Sequence, residues 1–308
     1  MSDLTLALAF GDYDRIRPLV DGRVAIEGVD PIFHTLPPEE IFFRAFRQGE
    51  FDICELSLSS FTVNTAAGDC PYVGVPAYPS RAFRHTSIYV RRDRIKKAID
   101  LKGRRIGLPE YQLTACIWVR AILAEYGVNP EDVVWVRGGL EDPGRPEKIA
   151  LVLPEAVRIE EAPAGRSLSQ LLSAGEIDAI VTPRMPSCNN KDPNVGWLFD
   201  DPVAEATAYF RRTGIFPIMH IVGVRRELAE RHPWLPGSVF KALTRAKDIA
   251  VEQLADTAAT KVTLPFVEEQ VAAARALMGE DYWSYGMEEN RVTLEAFLRH
   301  HHEQGLSH

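Results

Sequence analysis

The sequence predicts an α/β protein of two lobes, each with a mixed, mainly parallel sheet and helices on both faces. The 308 residues are enough for two compact lobes with separate cores. Strand-like and helix-like segments alternate through the first two thirds of the chain, as they do in parallel sheets. The pattern Gly-Glu-apolar-Asp-apolar occurs at 49–53 and again at 175–179. Two lobes built on one plan would produce this repeat, and chance likeness of two helix–strand junctions is the alternative.

Composition and charge exclude several classes of protein. Hydrophobic residues make up 46% and charged residues 25%, which is typical of a globular chain. The net charge of −8 argues against general nucleic-acid binding, although a local arginine cluster can still bind an anion. No apolar run is long enough to span a bilayer. The apolar stretch 4–10 lacks a basic leader and is interpreted as a strand instead of a signal peptide, so we expect a cytoplasmic protein.

The four cysteines form no CxxC pair and show no spacing typical of metal ligands; they are Cys54, Cys70, Cys116 and Cys188. Without export, free thiols are expected. Two of them lie in apolar runs, where a small buried residue is the usual role.

The first lobe begins with a predicted strand at Leu4–Phe10. A helix is predicted from Pro37 onward, because proline suits the first turn and the acids at 39 and 40 favour the positive helix N-terminus. Gly49 is expected to end that helix. Residues 51–56 predict the next strand, and Ser57–Ser60 the turn into another helix.

The remaining elements are predicted from apolar periodicity and turn residues. Gly127 is expected to end one helix, and Ser167 to cap another. The predicted strands are 85–90, 104–108, 133–136 and 177–181, and the predicted helices are 111–126, 167–173, 238–254, 265–278 and 287–304.

Four polar turns follow predicted strands. In an open α/β sheet, ligands bind at the carboxyl ends of the strands near a topological switch point. Each turn alone is an ordinary loop, but their shared position predicts a ligand site. The turns are Gly11–Asp14, Ser57–Ser60, Pro109–Gln112 and Thr182–Arg184.

The segment Ser80–His85 carries two arginines and a histidine. Arg81 and Arg84 suit a carboxylate, because a guanidinium donates two parallel hydrogen bonds and keeps its charge. His85 suits proton transfer near neutral pH. A solvated loop paired with nearby acids is the alternative. His220 lies in an apolar segment, where a hydrogen-bonded core histidine is the alternative to a catalytic one.

Several enzyme classes lack their motifs here. The chain has no Gly-rich phosphate loop, no Gly-x-Ser-x-Gly elbow and no His-Glu-x-x-His pattern. These absences argue against kinase, nucleotide-cofactor, serine-hydrolase and zinc-protease functions.

Five segments in order along the chain are similar to characteristic segments of the 4,5-dihydroxyphthalate decarboxylase family; they are 51–60, 79–85, 100–112, 216–220 and 282–306. The resemblance implies a type II periplasmic-binding-protein-like fold. By that analogy, residues 1–88 plus 221–308 form lobe 1, residues 89–220 form lobe 2, and the ligand cleft lies between them. The three final helices are expected to pack mostly on lobe 1.

The activity that the resemblance implies is non-oxidative decarboxylation of a dihydroxylated aromatic dicarboxylate, of the 4,5-dihydroxyphthalate to protocatechuate type, in aromatic catabolism. The implied partner is this small molecule, without nucleic acid or membrane. The sequence requires no organic cofactor and leaves open a divalent metal chelated by the catechol. It does not indicate an oligomeric state.

The site roles that follow are hypotheses. Proton donation is assigned first to His85 and second to His220. The retained carboxylate is assigned to Arg81, Arg84 and Arg184. The catechol hydroxyls are assigned to Asp12, Glu110 or Tyr13 as acceptor or base. The remaining candidate substrate-binding residues are Ser57, Ser59, Tyr111 and Thr114, the last two near a helix N-terminus that suits an anion.

Two other functions remain open on the sequence. One is a non-catalytic solute-binding protein for a small aromatic or carboxylate anion, which would use the same fold and arginines. The other is an enzyme of different chemistry related to pyrimidine-precursor synthesis in thiamine pathways.

Overall fold

A computed structural model describes residues 3–144, 149 and 151–307. The chain divides into two compact units. Unit 1 comprises Met1–Arg81 and Ile218–Arg291, and unit 2 comprises Ala82–Pro217 and Val292–His308.

The strands in chain order are β1 (Leu4–Phe10), β2 (Val29–Thr35), β3 (Ile53–Ser57), β4 (Tyr72–Val75), β5 (Ile88–Arg91), β6 (Arg105–Leu108), β7 (Val134–Arg137), β8 (Arg158–Glu161), β9 (Ala179–Val181), β10 (Val195–Trp197) and β11 (His220–Arg225). The α-helices are α1 (Arg17–Val20), α2 (Pro38–Gln48), α3 (Leu58–Ala67), α4 (Thr114–Glu125), α5 (Leu168–Ala174), α6 (Pro202–Thr213), α7 (Arg226–Arg231), α8 (Leu235–Leu254), α9 (Val267–Met278) and α10 (Arg291–Glu303).

Unit 1 contains a five-stranded sheet in the order β2-β1-β3-β11-β4. Strand β1 runs parallel to both β2 and β3. Strand β11 is antiparallel to β3 and β4. The core strand β3 is buried along its whole length, as expected for a strand in the middle of a covered sheet.

Unit 2 contains a six-stranded sheet in the order β10-β5-β9-β6-β7-β8. Strand β6 runs parallel to β7 and β9, and β7 runs parallel to β8. Strand β5 is antiparallel to β9 and β10. Both sheets are therefore mixed, and the α/β class predicted from the sequence is confirmed.

The two sheets share one plan. The unit 1 order β2-β1-β3-β11-β4 corresponds, strand by strand and in direction, to β7-β6-β9-β5-β10 of unit 2, where β8 is added at the edge. The repeated pattern at 49–53 and 175–179 lies at equivalent junctions. Asp52 accepts a hydrogen bond from the Ala7 amide at 2.9 Å, and Asp178 accepts one from the Arg105 amide at 3.4 Å. Each aspartate thereby ties its strand to the parallel strand beside it.

Local signals place two helices where the sequence predicts them. Helix α2 begins with Pro38 and ends at Gly49, whose φ of 61° is a left-handed conformation that favours glycine. Helix α5 begins with a capping box: the Ser167 hydroxyl accepts from the Gln170 amide, and the Gln170 side chain accepts from the Ser167 amide. Both helices then lead directly into the Asp-containing junctions.

Some elements differ from the prediction. Residues 85–87 form a 3₁₀ turn closed by a hydrogen bond from the Ser87 amide to the Arg84 carbonyl, so that strand β5 begins only at Ile88. Helix α4 begins at Thr114, after a turn in which the Leu113 amide bonds to the Glu110 carbonyl. The elements that the sequence did not predict include α1, β2, β4, β8, β10, α6 and α7.

The compact units also differ from the predicted lobes. The chain passes between units at 81/82, 217/218 and 291/292, whereas the predicted lobes met at 88/89 and 220/221. Helix α10, expected on lobe 1, lies in unit 2. Its Phe297 ring packs against Trp118 at 5.6 Å, and the following Gln304 bonds to Arg120. This contact between aromatic rings gives α10 its place in unit 2.

The four cysteines are free and buried, two in each unit. Burial raises the pKa of the Cys54 and Cys188 thiols, because it disfavours the thiolate. Across the described part of the chain, no helix is both long and apolar enough to cross a membrane.

Candidate functional site

The carboxyl ends of β1 and β3 form the topological switch point of unit 1. Strand β2 lies on one side of β1 and strand β3 on the other, so the loops after β1 and β3 diverge here. Strand β11 is antiparallel, and its first residue, His220, pairs with Ser57 at the end of β3. The sheet thus places the start of β11 beside the ends of β1 and β3.

A buried carboxylate, Glu55, occupies this point. Its side chain is fully buried. One oxygen accepts from the Gly11 amide, and the other accepts from the Tyr13 hydroxyl at 3.0 Å and lies 2.8 Å from Nδ1 of His220. These three contacts supply the hydrogen bonds that a buried carboxylate needs.

Gly11 leaves room for no side chain. A Cβ atom there would lie 2.8 Å from the Tyr13 ring and 3.0 Å from Oε1 of Glu55. The glycine therefore lets the backbone amide approach the carboxylate closely.

His220 is oriented by Glu55. An ionised carboxylate only accepts hydrogen bonds, so Nδ1 of His220 is the donor, and Nε2 is left to exchange a proton. The Phe42 ring meets the imidazole edge-on at a centroid distance of 4.7 Å. The side chain is 15% exposed, which leaves it accessible to a small ligand.

Tyr13 completes the cluster. Burial, and then the negative charge of Glu55, raise the pKa of its hydroxyl. The phenol therefore stays protonated and donates to the carboxylate. Glu55, His220 and Tyr13 together form what we call the unit 1 acid cluster.

Arg81 lies in the interior of unit 1. Its Nη2 donates to the Ser284 carbonyl at 2.7 Å and to the Asn290 side chain. Burial lowers the pKa of this guanidinium to about 10. These bonds join the segment after β4, which contains Arg81, to the segment before α10. Arg81 therefore has a structural role in addition to the carboxylate binding predicted from the sequence.

The other unit 1 candidates lie around the same sheet edge. Asp12 is exposed and paired with Arg17 at 2.9 Å, an interaction that lowers the pKa of the Asp12 carboxyl. Ser57 is the N-cap of α3, and Ser59 is buried in its first turn. Ser57 thus helps to form the turn that follows Glu55.

The corresponding edge of unit 2 carries the remaining histidine candidate. His85 precedes β5, whose Ile88 pairs with Val181 at the end of β9. The imidazole is 2% exposed and lies between Phe199 and Tyr209, at ring distances of 5.6 and 5.4 Å. This burial lowers its pKa to about 4. No hydrogen-bond partner of Nδ1 is found within the described residues.

Four further candidates lie in the loops of this unit 2 edge. Glu110 and Thr114 are buried, and Thr114 is the first residue of α4. The Tyr111 ring lies 3.8 Å beneath the buried Arg120 guanidinium, which also donates to the Tyr111 carbonyl. Arg184 is exposed in the loop after β9.

Arg84 also belongs to unit 2. Burial lowers the pKa of its guanidinium to about 10, so it remains a cation at neutral pH. Arg81, three residues earlier, belongs to unit 1.

Sequence reasoning missed Glu55. The available signal was a single carboxylate inside the apolar strand Ile53-Cys54-Glu55-Leu56, a position that a charged residue occupies only when it is paired. The described residues include no cluster of three or more His, Cys, Asp or Glu that could hold a metal ion.

Comparison with known proteins identifies the family. Residues 48–143 match the family described as NMT1/THI5 like. A 4,5-dihydroxyphthalate decarboxylase from Comamonas testosteroni is 58% identical over 310 residues, covering 100% of this chain and 94% of the relative. A protein of the same name from Pseudomonas putida is 58% identical over 214 residues, covering 68% of this chain and 83% of the relative. The chain belongs to the 4,5-dihydroxyphthalate decarboxylase family.

Solved structures show what fold this decarboxylase family shares with other proteins. The alkanesulfonate-binding protein SsuA from Xanthomonas axonopodis pv. citri matches with a TM-score of 0.54 at 13% identity, covering 99% of this chain and 95% of that chain. The periplasmic aliphatic sulphonate binding protein from Escherichia coli matches with a TM-score of 0.53 at 14% identity, covering 99% and 89%. The periplasmic-binding-protein-like fold predicted from the resemblance is confirmed.

Proposed function

We propose that this chain is a carboxy-lyase that converts 4,5-dihydroxyphthalate to 3,4-dihydroxybenzoate and CO2 in aromatic catabolism. The full-length identity of 58% to a protein of that name supports the reaction. The observation that carries the mechanism is the unit 1 acid cluster, in which a buried carboxylate orients a partly accessible histidine.

The reaction needs a proton at one ring carbon. Each carboxylate of this substrate is para to a hydroxyl, which pushes electron density onto the carbon that bears the carboxylate. Protonation there forms a C–H bond and interrupts aromaticity. The C–CO2 bond then breaks, its electron pair returns to the ring, and CO2 leaves. One proton is consumed for each CO2 released, so the proton donor must be recharged from water.

His220 is the proton donor in this proposal. In its charged form, Nε2 gives its proton to the ring carbon while Nδ1 stays bonded to Glu55. The Glu55 carboxylate stabilises the imidazolium before transfer and fixes the direction of Nε2. A positioned general acid is worth roughly 10²–10⁴ in rate. Tyr13 keeps the carboxylate in place, so Glu55 and Tyr13 are positioning residues.

His85 fits this role less well, although it was the first choice from sequence. A pKa of about 4 leaves its imidazole neutral near pH 7, and its side chain is buried between two aromatic rings. A neutral imidazole is a much weaker acid than an imidazolium. The local environments therefore favour His220 over His85.

The experiment is to incubate the purified protein with 4,5-dihydroxyphthalate and follow CO2 release and aromatic absorbance, with and without a chelator. We expect stoichiometric CO2 and 3,4-dihydroxybenzoate. Loss of turnover with chelator would assign a part to a divalent ion chelated by the catechol. Tight substrate binding, seen as thermal stabilisation without product, would contradict the proposal and favour a solute-binding protein.

A further inference from the structure

We propose that Arg15 binds the carboxylate that the substrate keeps, and that it thereby selects ortho-dicarboxylates over substrates without a second carboxylate. The inference rests on the proposed decarboxylation for its substrate class. Its test uses a ligand that cannot react, so that the two proposals can fail separately.

The Arg15 guanidinium lies between two aromatic rings. Its Cζ atom is 4.4 Å from the centroid of the Tyr13 ring and 4.4 Å from that of the Trp283 ring. Nε donates to the Pro79 carbonyl, and Nη1 donates to Asp14 at 3.0 Å. The Trp283 indole is itself held by a hydrogen bond to the Tyr78 carbonyl at 3.1 Å. The rings and bonds fix the plane of the guanidinium, which reduces the entropy that a ligand must overcome.

One nitrogen of this guanidinium, Nη2, remains available to a ligand. Nη2 has no hydrogen-bond partner in the part of the chain that the structure describes, and the side chain is 17% exposed. Asp14, the acidic partner, bonds to Nη1 and is 40% exposed, so solvent screens its charge. A guanidinium held by its other nitrogens can present Nη2 to a carboxylate oxygen.

Arg15 is linked to the proton donor through the acid cluster. The Tyr13 ring that stacks on Arg15 carries the hydroxyl that bonds to Glu55, and Glu55 contacts His220. The guanidinium is therefore in direct contact with one member of the cluster, Tyr13. The two carboxylates of 4,5-dihydroxyphthalate lie on adjacent ring carbons, so the cation that binds the retained group must lie near the donor that protonates the carbon bearing the other.

Unit 1 also contains a buried hydroxyl donor. The Tyr285 hydroxyl is buried and makes no hydrogen bond within the described residues. Burial raises its pKa; Arg15 and Arg81 act to lower it, whereas Asp14 and Glu55 act to raise it. A protonated phenol suits an anionic oxygen better than a cation or an apolar group.

Arg15 is a better anchor than Arg81. The Arg81 guanidinium bonds to the Ser284 carbonyl and to Asn290 inside unit 1 and is 7% exposed. Arg15 is more exposed and is directly stacked on the ring that supports the acid cluster.

The experiment compares Arg15→Met, Arg15→Lys and wild type, with Arg23→Met as the matched control, because Arg23 forms an exposed pair with Asp21. Calorimetry measures the binding of phthalate, a dicarboxylate that lacks the activating hydroxyls, and of catechol, which lacks carboxylates. We expect phthalate to bind roughly 10- to 100-fold more weakly to Arg15→Met and catechol to bind unchanged. Arg15→Lys keeps the charge but loses the planar fork, so an intermediate loss is expected.

Kinetics with 4,5-dihydroxyphthalate supply the second readout. We expect KM to rise in Arg15→Met by a larger factor than kcat falls, and added guanidinium ion to restore part of the loss. Unchanged phthalate affinity, or an equal loss for phthalate and catechol, would overturn the inference. If Arg15→Met does not fold, the Arg15→Lys ratio of phthalate to catechol affinity decides. Arg15-dependent phthalate binding without turnover in wild type would leave the inference standing and refute the decarboxylase.

Discussion

Glu55 illustrates how a single buried charge determines a local arrangement. It receives hydrogen bonds from a backbone amide and a phenol of the loop after β1, and from an imidazole at the start of β11. Removing the charge while keeping the shape would leave three donors aimed at a weaker acceptor. Leaving buried donors with a poor acceptor usually lowers the free energy of unfolding by more than the net contribution of any one hydrogen bond.

Glu55→Gln is expected to lower kcat by roughly 10²–10⁴, because a neutral amide cannot stabilise the imidazolium that donates the proton. KM should change much less, since Glu55 does not touch the substrate in the proposed mechanism. Steady-state kinetics check both values, and Glu55→Asp should restore part of kcat. Glu50→Gln, in an exposed pair with Arg44, is the matched control. An equal kcat in wild type and Glu55→Gln would remove His220 from the role of proton donor.

His85 gives the protein a pH-dependent stability. Its folded pKa of about 4 lies below the ordinary value of 6.5 because of burial. Between these values the unfolded chain binds a proton that the folded chain does not. The contribution of neutral, buried His85 to the free energy of unfolding is therefore fully present above pH 6.5 and is lost as the pH falls toward 4.

His85→Leu should flatten the acid side of the stability profile. Wild type is expected to lose on the order of 1.4 kcal/mol for each pH unit between about 6 and 4.5 from this group, and the variant should lose less. Urea unfolding at several pH values measures the difference. His302→Leu, at an exposed position on α10, is the control. Parallel profiles for wild type and His85→Leu would show that this histidine does not set the dependence.

At the scale of elements, α10 is joined to α4 by a buried polar bridge. The Gln304 side chain accepts from Nε of Arg120 and donates to the Ile117 carbonyl at 3.1 Å. Nη2 of the same arginine donates to the Tyr111 carbonyl at 2.8 Å. The bridge therefore ties the end of the chain to the loop after β6, where the candidate residue Glu110 lies.

Gln304→Leu is expected to lower the free energy of unfolding by roughly 1.5–3 kcal/mol, because Arg120 keeps its buried charge and loses an acceptor. Thermal or denaturant unfolding measures the loss. Gln270→Leu, at an exposed position on α9, should be close to neutral. A Gln304→Leu variant as stable as that control would show that the bridge contributes nothing.

The elements differ in how far local sequence determines them. Strand β1 and helices α2 and α5 carry their own start or stop signals, and the structure has them where they were predicted. Strand β2 was missed because Asp30 and Pro31 interrupt its apolar pattern; at a sheet edge that interruption is tolerated. Strand β4 is also an edge strand and has only four residues, too few for a period to show.

At the scale of the whole chain, the two sheets have the same strand order but different chemistry. Counting from the equivalent Asp52 and Asp178, the position of Glu55 corresponds to Val181. A buried valine can neither orient a histidine nor hold a charge. The same strand order therefore holds the acid cluster in unit 1 and, at the equivalent place in unit 2, the apolar pairing of β5 with β9.

The candidate site could be predicted from the sequence only in part, because its contacts join residues that are far apart along the chain. Tyr13 was predicted because it lies in a polar turn after a strand, and His220 because a histidine is unusual in an apolar segment. Their link through Glu55 was not found, because it depends on the register of β11 against β3, between residues 165 positions apart. Arg81 and Arg84 were grouped as neighbours in one segment; Arg81 belongs to unit 1 and Arg84 to unit 2. Local sequence therefore pointed to single residues but not to contacts between residues far apart along the chain.

The buried cysteines have a practical consequence. Cys54 and Cys70 lie in unit 1, Cys116 and Cys188 lie in unit 2, and none is more than 5% exposed. An alkylating reagent can reach each thiol only when the surrounding structure opens. Mass spectrometry of the labelled peptides would therefore time the opening of each unit separately, in the unmodified protein and without an added probe.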